Sequence, residues 1–94
     1  MFALFVQVFK TEKINEASFP QLIEIARTKE ELKSMRDINI SLAKRNGDSV
    51  RQCSEDENLK VVEINLDQDK TVIEVVDNTT AEVYWATKIF TMEI

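Results

Sequence analysis

Two runs rich in β-branched residues, 59–66 (Leu-Lys-Val-Val-Glu-Ile-Asn-Leu) and 71–76 (Thr-Val-Ile-Glu-Val-Val), are separated only by Asp67-Gln68-Asp69-Lys70. Valine and isoleucine suit a pleated, half-buried surface, and four polar residues between two such runs make a hairpin loop. Asp77-Asn78-Thr79-Thr80 then turns the chain into residues 82–94, where Val83, Tyr84, Trp85, Thr87, Ile89, Phe90 and Thr91 favour a long final strand. A helix stays open there as the alternative. Thr79-Thr80-Ala81-Glu82 has the form of a capping box, and Val83, Thr87, Phe90 and Ile94 would share one helical face.

The other end of the chain also reads as strand. Residues 2–9 are almost continuously apolar and rich in Phe and Val, which suits a strand covered on both faces and central in a sheet. A signal peptide is the competing reading. No positive charge precedes the run, Gln7 interrupts it, and Lys10-Thr11-Glu12-Lys13 stands where a cleavage site of small residues would be. The run is also too short to span a bilayer as a helix. Residues 12–17 form a polar connection.

Ser18-Phe19-Pro20-Gln21 has the form of a capping box, with Pro20 in a first turn where it loses no helical bond. Leu22, Ile25, Ala26, Leu32 and Met35 recur near helical spacing opposite Glu24, Arg27, Glu30, Glu31 and Lys33. Thr28-Lys29-Glu30-Glu31 is a second capping box and marks a break or restart. Residues 37–45 fit two patterns. Ile38 and Leu42 extend the helical stripe, whereas Ile38, Ile40 and Leu42 also alternate strictly. Asp, Ile, Asn and Ser are indifferent or poor helix formers, so propensity favours a strand over 38–44. Asn46-Gly47 would then be a type I′ turn into an edge strand over 48–53; in the alternative, Gly47 caps a long helix. The expected fold is α+β: a mainly antiparallel sheet with one long or two short helices, about residues 19–36, packed on one face. Such a sheet commonly leaves its other face to solvent, and that face or an edge strand is where a partner would bind.

Ninety-four residues make a single domain, 1–94, able to bury roughly two-thirds of its unfolded surface. One Gly and one Pro argue against linkers and phosphate-cradling loops. The single Cys53 forms no internal disulfide, which fits a reducing compartment and a cytoplasmic location. Asn39-Ile40-Ser41 and Asn78-Thr79-Thr80 are then chance sequons.

Histidine is absent. That removes the commonest general base, the Ser/His and Cys/His nucleophile pairs, and Cys/His zinc sites within one chain. Cys53 reads as a partly buried, inert thiol. Asp67-Gln68-Asp69 is a fragment of a calcium-loop pattern, but Thr71 and Val72 stand where that pattern continues with Asp or Asn and then Gly. No catalytic residue, cofactor or metal is therefore expected.

Charge is segregated. Residues 27–51 hold seven cations and four acids, net +3; residues 52–94 hold ten acids and three lysines, net −7, within a total of −5. The acidic balance disfavours nucleic acid, although Lys29, Lys33, Arg36, Lys44 and Arg45 form a candidate basic patch. Protein partners fit better, self-association of basic on acidic region among them. The candidate contact residues are the adjacent aromatics Tyr84 and Trp85, expected on opposite faces of a strand, and the acids Glu55, Asp56, Glu57, Asp67 and Asp69, which could imitate a nucleic-acid backbone for a basic partner. The functional expectation is a non-catalytic protein-binding module, a small regulator or inhibitor that occludes another macromolecule. Its style suits an accessory protein of a mobile element or phage, though no residue carries that step. Nucleic-acid binding through 27–51 and binding of a small ligand or metal are the alternatives.

Overall fold

The computed structural model describes residues 1–10 and 19–94. Strands β1 (Phe2–Lys10) and β2 (Gln21–Ala26) are followed by a 3-10 turn (Glu30–Leu32), helix α1 (Lys33–Cys53), and strands β3 (Leu59–Asp67), β4 (Lys70–Asp77) and β5 (Val83–Glu93). The strands make one antiparallel sheet in the order β2-β1-β5-β4-β3. The helix lies on one face, against β3, β4 and β5. The expected α+β class, the hairpin of β3 and β4 and the strand reading of residues 82–94 are all present.

The helix stands elsewhere than residues 19–36. Residues 21–26 are strand: β1 is paired with β5 along one edge, and β2 supplies partners for the backbone groups of the other. Pro20 immediately precedes β2, where its missing N–H costs no ladder bond. Ser18 and the polar connection 12–17 lie outside the described residues. Thr28 makes the hydroxyl-to-amide half of the expected capping box. Its hydroxyl accepts from the Glu31 amide at 3.4 Å and donates to Glu31 Oε1 at 3.2 Å, and helical structure begins directly after it.

Residues 38–44 and 48–53, expected as two strands around a turn at Asn46-Gly47, are the body of α1. Leu32, Ala43 and Gly47 are buried and Met35, Ile40 and Val50 half-buried, a stripe at helical spacing that the sheet covers, while Ile38 and Leu42 are exposed. Burial of that stripe outweighs the weak propensities. Two of the poor helix formers bond back to the preceding turn, Asn39 Nδ2 donating to Met35 O at 2.8 Å and Ser49 Oγ to Arg45 O at 3.2 Å. Gly47 neither turns nor caps the chain. A Cβ there would lie 3.3 Å from both methyls of Val61 and 3.4 Å from Val75, so its missing side chain lets α1 approach β3 and β4.

The core gathers Leu4, Leu32, Ala43, Leu59, Ile73, Val75, Trp85 and Ile89. Leu4, Ile73 and Ile89 are wholly inaccessible, and each contributes about 1.5–3 kcal/mol by burial. β5, not β1, is central; β1 is second from the edge. Where β3 faces the helix, its apolar residues give way to a polar chain. Lys44 pairs with Glu63, Asn65 Nδ2 donates to Glu63 at 3.0 Å, and Thr71 Oγ1 donates to Asn65 at 2.9 Å and accepts from Arg36 Nη2 at 2.9 Å. The hydrogen bond from Lys44, then that from Asn65, holds the Glu63 carboxyl below its usual range.

Candidate functional site

The face of the sheet turned away from the helix follows from the strand registers. Its cross-strand rows, running from β3 towards β2, are Lys60, Val76 and Val83; Val62, Glu74, Ala86 and Phe9; Ile64, Val72, Lys88 and Gln7; Asp67, Lys70, Phe90, Phe5 and Leu22; and Met92, Ala3 and Ile25. Most are apolar. The Phe5 and Phe90 rings stack with centroids 5.4 Å apart and planes 20° from parallel, and Lys88 Nζ lies 4.8 Å from the Phe90 centroid. A shallow cleft of about 150 Å³ opens between Phe5, Pro20, Phe90 and Met92. Leu22, Ile25, Ile64 and Met92 are 37–49% exposed, and Leu66, at the bulge before the β3–β4 turn, is 60% exposed.

The sequence-derived candidates fall elsewhere and do not come together. Trp85 is buried in the core and Tyr84 packs against it from the same, helix-facing side; both border Val50 of α1. They do not take opposite faces because Val75 pairs with Trp85 and Val76 with Val83, which leaves Tyr84 as the extra residue of a β-bulge. The Tyr84 hydroxyl donates to Glu82 at 3.5 Å, and the charge of Glu82, then partial desolvation, pushes its pKa up.

Glu55, Asp56 and Glu57 follow α1. Glu55 and Glu57 are exposed, whereas Asp56 reaches the carboxyl of Asp77 at the end of β4. Hydrogen bonding to Asp77 raises the Asp56 pKa, while Asp77 is held low by Asp56 and then by the amides of Thr80 and Thr79, 2.9 and 2.7 Å from its Oδ1. That pair organises the β4–β5 turn, where Asp77 accepts from the Ala81 amide at 2.9 Å and Ala81 takes a left-handed φ of 62°. Asp67 and Asp69 lie at the far end of the same hairpin, about 27 Å away along eight strand residues. Asp67 Oδ1 accepts from the Asp69 amide at 2.7 Å, and Asp69 pairs with Lys29 at 2.9 Å. Their first role is in their own turn.

Three of the five cations of the candidate basic patch are also engaged, Lys29 with Asp69, Lys44 with Glu63 and Arg36 with Thr71. Cys53, expected partly buried, is exposed at the end of α1. Among the described residues no three His, Cys, Asp or Glu side chains gather as metal ligands would, and no helix is long and apolar enough to cross a membrane. No protein-family model, curated protein or solved structure matches this chain.

Sequence reasoning anticipated an open face and missed which residues make it. A signal is present in β3. Leu59 and Val61 are apolar at odd positions, then Val62, Ile64 and Leu66 at even ones, with Glu63 and Asn65 between. A strand that changes parity in this way offers apolar side chains to both faces.

Proposed function

We propose that this domain is a non-catalytic, cytoplasmic protein-binding module, a small regulator or inhibitor that occludes another macromolecule, and that the helix-free face of the sheet is its contact surface. The observation that carries the reading is the continuity of apolar side chains across all five strands of that face, from Leu22 and Ile25 to Ile64. Phe90, Ala86 and Ala3 are themselves buried in the floor of this face, and Leu22, Ile25, Ile64 and Met92 present the apolar surface above it; exposed apolar surface of this kind marks an interaction site in soluble proteins. The absence of histidine from the sequence supports a role that needs no general base at neutral pH. Engagement of Lys29, Arg36 and Lys44 within the fold weakens the nucleic-acid alternative.

The test is affinity capture from lysate with nuclease present, using the native chain and the double variant Ile64→Lys/Met92→Lys in parallel. A stoichiometric protein held by the native chain and lost by the variant supports the reading. Material that disappears with nuclease, or capture indifferent to the variant, overturns it.

A further inference from the structure

We propose that the protein seated on the helix-free face is a second copy of this chain, so that two sheets pack face to face as a symmetric homodimer. The proposal rests on the protein-binding reading of that face and names its occupant.

Size is the first argument. Five strands about 4.8 Å apart and about eight residues along each strand cover about 24 by 27 Å, about 650 Å² per copy and about 1,300 Å² for the pair. That is the outline of the whole face, with its charged rim and the buried Ala3, Ala86 and Phe90 included, and it stands at the lower end of the roughly 1,200–2,000 Å² that a stable, specific interface buries. Two such faces are enough for each other.

Charge is the second. The chain carries −5, so two copies repel at long range, although residues 27–51 are net +3. Of the ten acids in residues 52–94, the rows of this face contain two, Glu74 and, at the rim opposite Lys70, Asp67, beside Lys60, Lys70 and Lys88. It is the acid-poor side of an acidic molecule. Its central charges are also self-complementary. Glu74 stands opposite Ala86 and Lys88 opposite Val72, which makes Glu74 and Lys88 diagonal neighbours one row apart. A two-fold axis passing between them sets each Glu74 against Lys88 of the other copy, with the Phe5–Phe90 stacks and Ile64 packed around the pair. Aligned sheets of like twist pack about 10 Å apart, a separation that side chains of this size fill. The helices and acidic loops then point outward, and any other macromolecule the dimer occludes meets those.

Sedimentation equilibrium on the full chain tests this. The expected result is twice the chain mass for the native protein and the chain mass for Ile64→Lys/Met92→Lys, with circular dichroism unchanged because both positions are solvent-exposed. Ile38→Lys, on the outer side of α1, leaves the dimer intact. Glu74→Lys and Lys88→Glu each weaken it at least tenfold, and the double reversal restores it. A native chain that is monomeric at every concentration, or a dimer untouched by Ile64→Lys/Met92→Lys, overturns the proposal. If that monomer still retains a different protein through Ile64 and Met92, only the homodimer fails; if the variant makes no difference to capture either, the protein-binding reading fails with it.

Discussion

Gly47 is the residue at which sequence and structure differ most sharply in meaning. Beside Asn46 it suggests a turn, yet it lies buried within a 21-residue helix, against Val61 and Val75. Alanine would gain about 1 kcal/mol of helix propensity and lose a comparable amount to crowding, so Gly47→Ala is expected within about 1 kcal/mol of the native chain. Gly47→Leu, which no small shift of Val61 accommodates, should cost about 2 kcal/mol or more by urea unfolding. Two buried threonines make a second contrast. Thr71 Oγ1 joins Arg36 Nη2 to Asn65, and Arg36 Nε is already without a partner among the described residues, so Thr71→Val, which strands a second buried guanidinium N–H, is expected to cost about 1–3 kcal/mol. Thr87 Oγ1 is buried with no partner among those residues, and Thr87→Val should be neutral or stabilising by about 1 kcal/mol in the same measurement.

Glu63 gives the pH dependence its sign. Its folded pKa lies below the ordinary value, so its contribution is present above pH 4.5 and is lost as the pH falls through the lowered value. Asp77 acts in the same direction, while Asp56, whose pKa is raised, opposes it in the same acid range. The urea midpoint should therefore fall on acidification below about pH 4.5. Glu63→Gln should flatten that fall at a cost below about 1 kcal/mol at neutral pH, since the pair with Lys44 is partly exposed.

At the scale of elements, α1 owes its state to the sheet. Its centre combines Ile38, Asn39, Ile40, Ser41 and Gly47, none a strong helix former, and its buried stripe is worth nothing until β3, β4 and β5 exist. A peptide of residues 30–53 is expected to be less than about half helical in water by circular dichroism, although the same residues form a continuous helix in the domain. β2 is the converse. Leu22, Ile25 and Ala26 satisfy helical spacing, but the unpaired edge of β1 takes them as a strand. The hairpin of β3 and β4 needs no such help, because β-branched runs with a short polar turn between them carry their own pairing information. Simple alternation puts Tyr84 and Trp85 on opposite faces; a one-residue bulge against β4 turns both towards the helix.

For the whole molecule, the distribution of charge and apolar surface matters more than either total. The acidic balance describes the loops and strand ends, since α1 carries five cations against two acids, while the helix-free face is acid-poor and largely apolar, which is why self-association there is compatible with a net charge of −5. The sequence by itself determined the α+β class and the β3–β4 hairpin, favoured a strand over a helix at the C-terminal end and allowed a helical restart at Thr28, because each rests on local chemistry: side-chain branching, turn residues and a hydroxyl that caps. Only the tertiary structure decided which segment became the long helix, that residues 21–26 became an edge strand, and that the contact candidate is the Phe5–Phe90 face in place of Tyr84, Trp85 and the acids. Those outcomes depend on which apolar stripe finds a surface to cover it and which strand edge lacks a partner, and both are set by residues distant in the chain.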